Sequence, residues 1–268
     1  MRYNGDMRIL AHGSILNINL SGAPLAEAGR VVLLLHGWGR SLDDFGDLAS
    51  RLASAFPDTA FLSMDLPGFG GSPLAKDTGF SLADYCAVIR SVFDKMDVGR
   101  AVLIGHSLGG RIAIKFAALH PDRVERMALI SAAGIPARSF RLTLLRIGRG
   151  LFKTVFFAAR DFKYILRLKN LLGAIFGSKD YQTARGALYE TLKKVLAEDL
   201  RDDAKKISIP TLLVWGKNDQ ITPPRDAAEY HALIKGSRLE MLDGGHFAFL
   251  EYPAQCASII VSFLRKDA

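Results

Sequence analysis

Apolar positions in this chain gather into short continuous runs separated by longer amphipathic stretches. VVLLLHG (31–37), TAFLSM (59–64), AVLIGHS (101–107), RMALISAAG (126–134), TLLVWGKND (211–219) and RLEMLDGGH (238–246) are each bounded by glycine, proline or polar turn residues. Near-continuous apolar runs of this length predict strands of a parallel sheet covered on both faces. Between them lie helical patterns. SLADYCAVIRSVFDKMD (81–97) opens on a serine cap and places Leu82, Tyr85, Val88, Ile89, Val92 and Phe93 on one face. PPRDAAEYHALI (223–234) begins with prolines, which a first helical turn tolerates, and YPAQCASIIVSFLRK (252–266) is the last helix. RILAHGSILNINLSG (8–22) reads as an antiparallel hairpin ahead of the series. Strands alternating with helices predict an α/β fold.

One region breaks the alternation. Residues 135–208 contain no convincing strand, and FRLTLLRIGRGLFKTVFFAARDFKYILRLKNLLGAIFG (140–177) is amphipathic, helical and basic. The expected organisation is a core of residues 1–134 and 209–268 with a helical insertion, a cap, at 135–208. Charge sharpens this division. The formal net charge is +8, yet residues 138–206 hold 16 Lys and Arg against 7 Asp and Glu, so the rest of the chain is close to neutral. The basicity therefore belongs to the insertion. Phe140, Leu144, Ile147, Leu151 and Val155 run down one of its faces with Arg and Lys beside them. Such a face is expected to pack as a lid, and contact of the basic cap with an anionic membrane is the sharper alternative. No nucleic-acid recognition motif is found. The two cysteines, Cys86 and Cys256, stand alone in apolar helical patterns and are expected to be buried free thiols rather than metal ligands or a disulfide. The opening MRYNGDMRILAHGS has no long apolar stretch and no run reaches the length of a membrane span, so neither a signal peptide nor a transmembrane helix is expected, and a cytoplasmic location fits.

The candidate chemistry sits at the ends of the apolar runs. In GHSLGG (105–110) a serine stands between glycines where a strand gives way to a helix. A turn that sharp lifts the Ser107 hydroxyl out of the sheet edge and needs small residues two positions either side, which Gly105 and Gly109 supply. A serine needs a base, and the base an orienting carboxylate. Asp219 follows TLLVW and His246 follows the last strand, in the chain order Ser, acid, His that this turn requires. The other histidines fit structural roles: His12 in the hairpin, His120 at a helix end, His231 within a helix, and His36 tying its own loop. His106, beside the serine, is expected to serve the elbow rather than act as base. Asp243 is the second choice for the acid, and Asp65 is expected to hold its Pro/Gly loop. An oxyanion needs two donors, and the backbone N–H groups of Leu108 and Trp38, the latter in HGWG after the first parallel strand, are the candidates. The Trp38 ring could wall the pocket.

With LLLHGWGRS, MDLPGFGGSP, GHSLGGRIA, VWGKNDQITP and GGHFAFLEYP in this order, the chain resembles the α/β-hydrolase superfamily over nearly its whole length. That resemblance implies an eight-stranded, mostly parallel sheet flanked by helices, a helical cap after the sixth strand, and Ser107, Asp219 and His246 as nucleophile, acid and base. Serine at the elbow speaks against the epoxide-hydrolase and haloalkane-dehalogenase branches, which place aspartate there. Ring-cleavage carbon–carbon hydrolases keep serine but usually show loops like HGxGPG and GNSMGG, so hydrolysis of a carboxylic ester is the expected activity. The alternatives are carbon–carbon bond hydrolysis and ligand sensing on the same fold. No metal or cofactor is needed. The partner expected is a small hydrophobic ester, with Trp38, Phe152 and Phe156 contacting its acyl or aromatic group.

Overall fold

The computed structural model describes residues 5–75, 78–136 and 186–265. The chain divides into two compact units, Met1–Gly134 with Gly186–Ala268, and Ile135–Arg185. Beyond Ile135 and Pro136 the second unit lies outside the described residues, and with it Phe152, Phe156 and the basic face from Phe140 to Val155.

The first unit holds eight strands: β1 (Gly5–Ala11), β2 (Ser14–Gly22), β3 (Arg30–Leu35), β4 (Thr59–Met64), β5 (Ala101–His106), β6 (Val124–Ile130), β7 (Thr211–Gly216) and β8 (Arg238–Leu242). They form one sheet in the order β1-β2-β4-β3-β5-β6-β7-β8. β1 and β2 are the expected hairpin, and β2 also runs antiparallel to β4; every other neighbour is parallel. The eight-stranded, mostly parallel sheet is the one the family resemblance implies. Burial follows the same division. Every residue of β4, β5 and β7 is buried, whereas β2 is buried at every second position, as a strand with one covered face must be.

Helices α1 (Gly46–Ala55) and α8 (Pro253–Arg265) press Leu48, Leu52, Ile260 and Leu264 onto Val32, Leu34, Val102, Ile104 and Val214 of the sheet. The intervening residues Leu33, Leu103 and Leu213 point the other way and are equally buried. α2 (Leu82–Lys95) buries the six residues its spacing picks out. Its cap is reciprocal: the Asp84 backbone N–H donates to Ser81 Oγ, and the Asp84 carboxylate accepts from the Ser81 backbone N–H at 2.8 Å. α3 (Leu108–Leu119) follows β5, and α4 (Ala187–Ala197), α5 (Arg201–Ala204), α6 (Pro224–Leu233) and α7 (Ala248–Glu251) complete the described helices. The sequence assigns α4 to the 135–208 insertion, but it falls in the first unit. Thr191 Oγ1 accepts from the Phe80 N–H at 2.8 Å, and Lys194 Nζ donates to the Gly79 carbonyl at 3.1 Å, so polar bonds as well as the buried Leu192 and Val195 hold it there. Both cysteines are free and buried, and burial pushes the Cys256 thiol up to about 12.

The chain passes from β3 to β4 on one side and then back to β5 on the other side of β3. The loops after β3 and β5 therefore leave the carboxyl edge of the sheet at the point where strand order switches, which is where an open α/β sheet has its crevice.

Candidate active site

The loop after β5 is a single residue. Ser107 has φ 51° and ψ −106°, a conformation a side-chain-bearing residue adopts at a cost of about 1–3 kcal/mol. Hydrogen bonds on both sides hold it: its N–H donates to the Ile130 carbonyl at 3.0 Å, and its own carbonyl accepts from Arg111 and Ala133 at 3.0 and 3.1 Å. The glycines on either side are a matter of space. A Cβ on Gly105 would lie 2.5 Å from the Gly109 carbonyl, and one on Gly109 would lie 2.0 Å from the Leu35 carbonyl oxygen. The Gly109 N–H donates to the His36 carbonyl at 3.0 Å, which welds the loop after β3 to the start of α3. Leu108 is the first residue of α3, and an N–H in that position has no acceptor within its own helix.

His36 begins the second loop and is fully buried. Its Nε2 accepts from the Leu66 N–H at 2.9 Å, so its proton is on Nδ1, which donates to the Gly37 carbonyl at 2.7 Å. Burial lowers its pKa against the pull of that bond and of Asp65, so it stays neutral and structural. Asp65 holds its loop as expected: its carboxylate accepts from the Leu42 and Gly71 N–H groups, each at 2.7 Å, and from Asn17 Nδ2 at 2.9 Å. Trp38 is half-buried, with its ring edge-on to Phe69 at 5.0 Å.

The neighbouring strands β7 and β8 bring Asp219 and His246 together across 27 residues of sequence, with His246 Nδ1 2.9 Å from Asp219 Oδ2. Both are buried. Asp219 Oδ1 accepts from the N–H groups of Ile221 and Thr222, each at 2.9 Å, and Oδ2 lies 2.8 Å from the Thr222 hydroxyl. Burial pushes the Asp219 carboxyl up, but the bonds from His246 and Thr222 outweigh it and hold the group below the usual carboxylate range. It is an anion, so His246 Nδ1 carries the proton that it donates, and Nε2 is left as the basic nitrogen. Asp243 does not compete: it is 69% exposed and pairs with Lys217. The His246 ring lies 4.8 Å from that of His106, the residue beside Ser107.

Sequence reasoning does not single out Thr222, whose hydroxyl also reaches the Ser131 carbonyl at 3.1 Å and lies 3.2 Å from His246 Nδ1. Its signal is local: an aspartate with a threonine three residues on, before a proline pair, is a side-chain-capped turn. Nearby, in the first turn of α6, burial and the charges of Glu229 and Asp219 push the Asp226 carboxyl up to about 6, although Arg225 opposes them. Among the described residues no three His, Cys, Asp or Glu side chains are grouped to hold a metal ion, and no helix is long and apolar enough to cross a membrane.

A family model described as the alpha/beta hydrolase family matches residues 32–259. A pimeloyl-[acyl-carrier protein] methyl ester esterase of Neisseria meningitidis is 32% identical over 255 residues, spanning 90% of this chain and 78% of the relative. An esterase from Exiguobacterium antarcticum superposes with a TM-score of 0.72 at 26% identity, over 97% of this chain and 99% of its own. A meta-cleavage product hydrolase from Pseudomonas fluorescens reaches the same TM-score at 21% identity over 98% of both chains, a likeness of fold.

Proposed function

The chain belongs to the α/β-hydrolase family, and on that premise we propose that it is a serine hydrolase that cleaves carboxylic esters through an acyl-enzyme on Ser107. The observation that carries this reading is the buried hydrogen bond between His246 Nδ1 and Asp219 Oδ2, made by two residues at the ends of adjacent strands and in the required chain order after a strained serine. In the proposed mechanism His246 Nε2 takes the Ser107 proton as Oγ attacks the ester carbonyl. Asp219 holds the imidazole in its Nδ1–H tautomer and stabilises the imidazolium that forms. The Leu108 and Trp38 N–H groups receive the oxyanion. His246 then protonates the departing alcohol, and the same nitrogen activates the water that releases the acid.

The ester reading is preferred to carbon–carbon cleavage because two relatives above 25% identity are named as esterases, whereas the likeness to the carbon–carbon hydrolase is one of fold. By the same likeness, the methyl ester of a carrier-bound pimeloyl group is the first physiological substrate to try. A p-nitrophenyl ester series of increasing acyl length, run beside that methyl ester, tests the proposal. Turnover well above the hydroxide rate that disappears in Ser107→Ala is the expected result. No turnover at any chain length would overturn it and favour a binding role.

A further inference from the structure

His106 has no part in this mechanism, yet it stands beside Ser107 and is buried against His246. Only 1% of it is exposed. Its Nε2 lies 2.9 Å from the backbone carbonyl oxygen of His246. A carbonyl oxygen can only accept, so Nε2 carries the proton and Nδ1 is a bare lone pair, which has no hydrogen-bond partner among the described residues. Burial, reinforced by the adjacent His246, holds its pKa well below the ordinary histidine value, which favours the neutral ring that donates through Nε2. The ring is gripped from two sides. The His246, Phe247 and Phe249 rings lie against it at 4.8, 5.2 and 4.8 Å. Towards the loop after β3, a Cβ on Gly37 would stand 2.8 Å from Nδ1 and 3.2 Å from Cε1, so the ring meets that backbone directly. One side chain thus bridges the loop that carries Trp38 and the loop that carries His246, from a backbone position next to Ser107.

The loop of His246 is held at Gly244 by the Asn218 N–H, at Gly245 by the Glu251 carboxylate, and at the base itself by His106. It reads Asp-Gly-Gly-His, and the two glycines before the base resist disorder less than any other residues. A buried carbonyl left without a donor is costly enough to turn the peptide towards water. A shift of the imidazole by about 1 Å is enough to cost about 100-fold in rate.

We infer that His106 is a positioning residue for the base: by donating Nε2–H to the His246 carbonyl, it holds the imidazole between Asp219 and the nucleophile. The inference rests on the proposed role of His246, and it is tested with a readout that does not need turnover. The Nδ1 proton shared by His246 and Asp219 gives a far-downfield NMR signal, assigned by its loss in His246→Ala. His106→Phe keeps a ring and removes the donor. His106→Gln removes the ring but carries an amide N–H to the same place as Nε2. The expected result is that the phenylalanine variant loses or broadens the signal and drops kcat by about 10–100-fold with KM changed less than two-fold, while the glutamine variant keeps the signal and recovers most of kcat. If the phenylalanine variant does not fold, His106→Asn, whose amide stops short of the carbonyl, takes its place with the same expected losses. A folded phenylalanine or asparagine variant with the parent signal and kcat would overturn the inference, as would a folded glutamine variant that loses both. Full activity in Ser107→Ala would instead defeat the esterase reading and leave the NMR test of His106 standing.

Discussion

At the scale of single residues, the site depends on groups whose protonation is set by their neighbours. Asp219 receives four hydrogen bonds, from His246, the Thr222 hydroxyl and two backbone N–H groups, which is why it can stay charged while buried. Asp219→Asn should leave the turn in place but present His246 with the wrong tautomer. A fall in kcat of about 10⁴-fold is expected, with KM little changed, in steady-state ester kinetics. Thr222→Val removes one bond to a charged acceptor, worth about 1.5–3 kcal/mol. It should lower kcat by about 10–100-fold, and a loss as large as that of Asp219→Asn would mean that Thr222 takes part in the proton relay directly. The pair of Asp219 and His246 was legible in the sequence because both follow apolar strands and close on glycine or polar turns. Thr222 was not, because a hydroxyl three residues after an aspartate marks a turn wherever it occurs. Only the fold brings that turn against His246.

At the scale of elements, the elbow is the unit that couples fold to chemistry. β5 and α3 cross so tightly at Ser107 that Gly109 sits against the Leu35 carbonyl of β3. Gly109→Ala should therefore cost more than helix propensity alone would suggest, since alanine is otherwise the better helix former. A loss of roughly 2 kcal/mol or more in denaturant unfolding is expected, with the Leu108 and Trp38 donors displaced together. Unchanged stability would show that the crossing can relax. The strands and the hairpin were visible from the apolar runs, as was the buried face of α2, but the exchange of β3 and β4 in the sheet order was not. The allegiance of α4 was not. Its composition matches the basic insertion before it, and what ties it to the first unit is the burial of Leu192 and Val195 together with polar contacts to Gly79 and Phe80, more than a hundred residues earlier. Pattern within a helix cannot report a partner that distant.

At the scale of the whole molecule, buried histidines link stability to pH. His36 and His106 have folded pKa values below the unfolded value of about 6.5. Their contribution is present above that pH and is lost as pH falls below it, because the unfolded chain binds protons that the folded chain refuses. Asp226 works in the opposite sense: its folded carboxyl, raised to about 6, binds a proton before the unfolded one does. Below about pH 6.5 the histidines lower stability as pH falls, and Asp226 opposes them. Asp226→Asn removes the opposing term and should steepen the decline in a denaturant series at pH 7, 6 and 5. A variant no steeper than the parent would contradict that assignment. All of the proposed chemistry rests on activation of the Ser107 nucleophile by His246. Labelling with a fluorophosphonate, read by intact mass and peptide mapping, tests it most directly. A single adduct per chain is expected on the peptide containing Ser107, absent in Ser107→Ala and formed at least about 100-fold more slowly in His246→Ala. No adduct, or one that persists in Ser107→Ala at the parent rate, would contradict it.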